Sequence, residues 1–142
     1  MSLGQSFGVL MRAAFDAHPE LHSAQAFVPV PLHSQRERLR GFNQASVLAR
    51  ALAKHTGHPV LDELLTKSAV TRPQMLLSKA ERRLNLAQSF EVSPIAQGRL
   101  KGKSFLLIDD VCTTGSTLTA CARVLRRAGA RDVKALTLAR EL

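Results

Sequence analysis

The sequence contains no tryptophan and no tyrosine, and its aromatic content rests on six phenylalanines among 142 residues. Single-strand nucleic-acid binders stack bases on aromatic platforms, and there is little material for one here. Cysteine is nearly missing too: Cys112 and Cys121 stand nine positions apart, with no Cys-x-x-Cys pair. That indicates neither a disulfide framework nor a zinc knuckle, and Cys121 reads as core packing. No apolar run approaches the roughly 18 residues of a membrane span, and the N-terminus lacks the basic start, apolar middle and cleavage site of a secretory signal. The expectation is a cytoplasmic protein with no membrane partner. Negative charge is also scarce, with 11 Asp and Glu against 20 Lys and Arg and a net charge of +9. Such a field attracts polyanions, phosphorylated metabolites or acidic lipid without choosing among them.

What is present fits one compact domain spanning residues 1–142. Hydrophobic residues make up 45% and charged residues 22%, the usage of an ordinary globular chain able to bury its own core. Phe7, Leu10, Met11, Ala14 and Phe15 recur at helical spacing and predict an amphipathic helix from Gln5 to about Ala17, closed by His18 and Pro19. The apolar run Ala26 to Leu32 predicts a short strand that its prolines stop near Val28 or Pro29. A loop is predicted from His33 to Gly41, carrying Arg36, Arg38 and Arg40 against Glu37. Ala45, Leu48, Ala49 and Leu52 then fall on one helical face, with Asn43 as N-cap and Gly57 as terminator. Phe42 is expected in the core.

Val60 to Lys67 is predicted to form a short strand, Thr71-Arg72-Pro73 to interrupt regular structure, and Ser89 to Val92 to form another brief strand. Ser104 to Ile108 is the best strand in the chain, its continuous apolarity suiting a parallel strand covered on both faces. A six-residue turn, a helix from Thr117 to Ala128 and a buried strand from Val133 to Leu138 are predicted to follow. Alternating strands and helices predict an α/β fold, a Rossmann-like, mainly parallel sheet flanked by helices, with ligands beyond the carboxyl ends of the strands.

The chemistry concentrates after that best strand. Asp109 and Asp110 are followed by Val111 and Cys112, then by Thr113, Thr114, Gly115, Ser116 and Thr117. Small residues let a backbone curl around a phosphate, whose charge meets N–H groups, hydroxyls and the positive end of the next helix. Two acids repel phosphate but accept hydrogen bonds from a diol. A ligand carrying both groups satisfies both halves of the segment. The sequence holds no Gly-x-x-x-x-Gly-Lys-Ser/Thr and no dinucleotide fingerprint, which excludes those phosphate sites.

An apolar strand, two adjacent acids and a Thr/Gly/Ser loop resemble the motif with which type I phosphoribosyltransferases bind 5-phosphoribosyl 1-pyrophosphate (PRPP). With Val28 to Leu32, Arg40-Gly41-Phe42-Asn43-Gln44, Gln74, Arg82, Asn85 and Phe90, the sequence from about residue 25 to 140 is similar to the ComF/GntX family of competence proteins. The resemblance implies the type I phosphoribosyltransferase fold. It implies that Asp109 and Asp110 hold the ribose hydroxyls, with Asp110 facing the developing ribosyl cation, and that Thr113 to Thr117 hold the 5-phosphate. Arg36, Arg40 and Gly41 are expected at the pyrophosphate, and Gln74, Arg82 and Asn85 in a mobile cover. Mg²⁺ is expected to arrive with PRPP rather than at a resident metal site. The implied activity is transfer of ribose 5-phosphate to an unidentified nitrogen acceptor, in the setting of natural competence. The alternative is a non-enzymatic module on the same fold that binds single-stranded DNA or DNA-uptake proteins. Family members usually carry an N-terminal four-cysteine zinc module, and this sequence has no such cysteine set. A homodimer and a monomer are both open.

Overall fold

The computed structural model describes residues 3–32, 34–68, 78–112 and 114–140. Its helices are α1 (Leu3–Ala17), α2 (Ser34–Arg40), α3 (Gln44–Thr56), α4 (Lys79–Gln88) and α5 (Ser116–Arg127). Its strands are β1 (Ala26–Pro29), β2 (Leu65–Lys67), β3 (Phe90–Val92), β4 (Ser104–Cys112) and β5 (Asp132–Arg140). β4 lies between β1 and β5 and runs parallel to both, while β2 and β3 form a separate antiparallel pair. The α/β reading and its parallel sheet are the observed architecture.

Strand β4 organises the core because its side chains alternate between the two faces. Phe105 and Leu107 pack with Ala120, Cys121 and Leu125 of α5 and with Leu65 and Phe90 of the antiparallel pair. Leu106 and Ile108 pack the other way, against Met11 and Phe15 of α1, Leu48 and Leu52 of α3, and Phe27 of β1. The continuous apolar run is therefore needed, since from Ser104 to Ile108 neither face of the strand meets water. Close approach of the two helices on that second face depends on Gly8, where an added Cβ would sit 3.0 Å from the Ala51 Cβ.

Asn43 caps α3 as its sequence position predicts. Its side-chain oxygen accepts from the Ala45 N–H at 3.0 Å, and its Nδ2 donates to the Val30 carbonyl at 3.1 Å, tying the helix start to the end of β1. Gly57 ends the helix in the left-handed region.

Several expectations are corrected. The predicted loop from His33 to Gly41 contains helix α2, while His33 itself lies outside the described residues. Ser34 to Arg40 contains neither Pro nor Gly, and Glu37 early with Arg38 and Arg40 late complements the helix dipole. Its single apolar residue, Leu39, supplies no periodicity to read. Phe42 is not in the core but 49% exposed. Within Val60 to Lys67 the strand begins only at Leu65, and Val60 makes an isolated parallel bridge to Phe27. β4 continues through both acids to Cys112, and α5 opens at Ser116, so three residues replace the predicted six-residue turn. β5 is half-buried rather than buried, because among the described residues β4 alone pairs with it, along one edge. The interruption expected at Thr71-Arg72-Pro73 lies outside the described residues.

Candidate active site at the carboxyl end of the sheet

Asp109 and Asp110 follow directly on the buried stretch of β4, where burial gives way from complete to partial. Strand geometry sends them to opposite faces. Each carboxylate accepts a hydrogen bond from the following backbone, Asp109 Oδ1 from the Asp110 N–H and Asp110 Oδ1 from the Val111 N–H, both at 2.9 Å. Burial pushes the Asp109 carboxyl up to about 7, with the Asp110 side chain and charge adding to the rise. The Asp110 N–H and the charge of Lys67 on β2 pull the other way. Asp109 thus sits where a group donating hydrogen bonds, or a cation, would be rewarded most. Cys121, fully buried beneath it, is pushed up to about 12 by burial and then by the Asp109 charge, so its thiol stays protonated.

The next segment turns the chain into α5. Thr113 lies outside the described residues. Gly115 is the N-cap at φ +82°, and an added Cβ there would meet nothing within 4 Å. The glycine is therefore required by its backbone conformation, not by lack of room. The N-cap glycine supplies no side-chain cap, and the Thr119 N–H bonds the Gly115 carbonyl at 2.9 Å. The Thr114 hydroxyl donates to Ser116 Oγ at 2.9 Å, and the Ser116 N–H reaches Thr114 Oγ1 at 3.3 Å. A small cavity of about 40 Å³ opens among Asp109, Cys112, Gly115, Ser116 and Thr117. Asp109 and the helix start thus border one hollow, suited to an anion beside hydroxyl groups, while Asp110 lies outside its lining.

Arg40, Gly41 and Arg82 are not part of the lining of this hollow. Arg36 belongs to α2 by its backbone, and its side chain lies outside the described residues. Arg40 ends the same helix, exposed, with Nη1 donating to Gln44 Oε1 at 3.3 Å. Gly41 donates its N–H to the Glu37 carbonyl at 2.7 Å and lines a cleft of about 650 Å³, which Leu32, Asn43, Glu63 and Lys67 also border. Gln74 and the Asn85 side chain lie outside the described residues, and Arg82 is exposed on α4, which packs against α5 and β3. Lys67 is the residue that sequence reasoning missed. It borders the large cleft, lies over the Phe90 ring at 5.4 Å and acts electrostatically on Asp109 across 42 positions of chain. No local pattern marks it; only the pairing of β2 with β3 places it there.

Comparison with known proteins places the chain in a family. The family model described as "Phosphoribosyl transferase domain" matches residues 40–142. Competence protein F of Haemophilus influenzae is 34% identical over 121 residues, covering 85% of this chain and 52% of that protein. DNA utilization protein YhgH of Salmonella typhi is 37% identical over 115 residues, covering 81% and 49%. The chain spans about half the length of these curated relatives. Among solved structures, the glutamine PRPP amidotransferase from B. subtilis superposes with a TM-score of 0.58 at 21% identity, over 95% of this chain and 26% of that one. That likeness concerns the fold. No described helix is long and apolar enough to cross a membrane.

Proposed function

Since this chain belongs to the phosphoribosyl transferase domain family, in its ComF group of competence proteins, we propose that it binds PRPP and transfers ribose 5-phosphate to a nitrogen acceptor. The observation that carries the reading is the pair Asp109 and Asp110 just before a helix start whose N-cap, Gly115, brings no side chain of its own. On this reading the 5-phosphate rests on the amides and hydroxyls of Thr113 to Thr117. The ribose hydroxyls donate to Asp109 and Asp110. Arg36, Arg40 and Gly41 hold the pyrophosphate, and Gln74, Arg82 and Asn85 close over the site. Bond formation between the acceptor nitrogen and C1 accompanies cleavage of the C1–O bond, whose electron pair leaves with pyrophosphate. Positive charge developing on the ribose is met by Asp110, while the arginines stabilise the leaving group.

The two carboxylates are hard oxygen donors that fit Mg²⁺, and among the described residues no three potential metal ligands come together. Mg²⁺ would therefore be held chiefly by the oxygens of PRPP, with either carboxylate able to add at most a single oxygen donor. Such an ion supplies charge neutralisation at the diphosphate.

Titration calorimetry of PRPP with Mg²⁺, followed by a nucleobase and amine screen for pyrophosphate release, tests the proposal. Asp110→Asn is expected to lower turnover at least 100-fold; unchanged PRPP affinity and turnover would reject the assignment. Asp109 donates no charge below its titration, so PRPP affinity is expected to rise as pH increases through about 7.

A second reading, a module that binds DNA without catalysis, is favoured by one arrangement. Gly102 N–H bonds the Gly129 carbonyl at 3.0 Å and Arg131 N–H bonds the Lys103 carbonyl at 2.8 Å. These bonds set the turn bearing Arg99, Lys101 and Lys103 beside Arg126, Arg127 and Arg131, at the end of the sheet opposite the acids. DNA affinity falling steeply with salt supports this reading, and no retention of DNA at low salt removes it.

A further inference from the structure

A second cleft, of about 560 Å³, lies at the opposite end of β4 from the acids. Phe105 in its floor precedes Asp109 by four strand residues, roughly 13 Å. Leu61, Leu64 and Leu100 complete an apolar floor. At its mouth Ile95 is 75% exposed, an apolar side chain that this chain leaves uncovered. Arg99 and Lys103 border the cleft, and neither forms an ion pair among the described residues.

Asp62 joins the two clefts, lining both. One of its oxygens, Oδ2, is engaged by Arg50, while Oδ1 is buried with no hydrogen-bond partner among the described residues. A buried acceptor without a donor costs stability, so it marks a place where a ligand N–H or O–H would be favourable. The volume falls in the usual range for small-molecule sites, roughly 300–1,000 Å³.

We propose that this cleft is a separate binding site for an organic monophosphate with a ring body, of the size of a nucleoside monophosphate. The ring covers Ile95 and the leucine floor, a ring amino group donates to Asp62 Oδ1, and the phosphate lies between Arg99 and Lys103. Charge complementarity selects the anion: two free cations face Glu63 as the one carboxylate of the lining without an ion-pair partner among the described residues. Because Asp62 and Arg50 also wall the larger cleft, occupancy here reaches the border of the proposed catalytic site without entering it. This inference does not depend on the transferase reading.

The protein has no Trp or Tyr, so an added fluorophore reports without background. The apolar sulfonate 1-anilinonaphthalene-8-sulfonate is titrated into the whole chain and then displaced with AMP, phenyl phosphate or inorganic phosphate. Displacement is expected at the lowest concentration for AMP, then phenyl phosphate, then inorganic phosphate. In Arg99→Glu/Lys103→Glu and in Ile95→Asp, all exposed positions, the AMP midpoint is expected to rise at least tenfold. PRPP affinity by calorimetry should not change in these variants. Ser116→Asp, which places a charge in the phosphate cradle, should leave AMP displacement intact and abolish PRPP binding. The proposal is overturned if AMP fails to displace the dye, if inorganic phosphate does so equally well, or if the Arg99/Lys103 and Ile95 variants behave as the parent. It is also overturned if Ser116→Asp, or Phe42→Ser at another exposed apolar position, removes the AMP response instead.

Discussion

The two halves of β4 share one strand and the neighbour β5 yet do opposite things, and β1 pairs only with the first half, Phe105 to Ile108. From Ser104 to Ile108 every side chain is buried between helices, whereas Asp109 to Cys112 are half-buried or exposed. The first half spends its side chains on cohesion. The second places carboxylates where solvation is incomplete, which is unfavourable for folding and useful for a ligand. The division teaches that stability and site chemistry are separated along a single strand by one residue step, from Ile108 to Asp109.

Substitutions can break or sharpen that contrast. The largest effect is expected in the buried half: Leu106→Ala should destabilise by about 2–5 kcal/mol, read as a lowered denaturant midpoint. In the other half the sign reverses. Asp109 binds a proton more tightly in the folded chain, at about 7, than in the unfolded chain, so stability falls as pH rises between roughly 4 and 7. Asp109→Asn removes that penalty and is expected to stabilise by on the order of 1–2 kcal/mol at pH 8, after allowance for partial exposure, and not at pH 3. Thermal melts at the two pH values check this. Gly115→Ala is smaller, about 1 kcal/mol of destabilisation from its left-handed backbone, with a much larger loss of PRPP affinity by calorimetry. Thr114→Ala should be smallest in stability, about 0.5 kcal/mol or less, since its hydroxyl lies on the exposed surface.

Legibility differed between these regions for a physical reason. The core half of β4, helix α3 with its Asn43 cap, and the acid pair with its small-residue loop all carry their signal within a dozen neighbouring residues. Helix α2 carries none, because an exposed helix with one apolar residue has no periodicity. Phe42 was misplaced because hydrophobicity alone says nothing about which surface residue a cleft leaves open. The strand's true end at Cys112 was hidden because an acid pair reads as the start of a loop, although backbone pairing with β5 continues through Asp109, Val111 and Cys112.

By itself the sequence determined the α/β class, the buried strand and the order of acids, loop and helix, since each follows from local pattern and backbone chemistry. Only the tertiary structure decided that Lys67 acts on Asp109, that the turn bearing Arg99, Lys101 and Lys103 meets the end of α5, and that Asp62 Oδ1 at a cleft has no donor among the described residues. Those are relations between residues distant in the chain, and strand pairing and packing alone bring them within reach of each other.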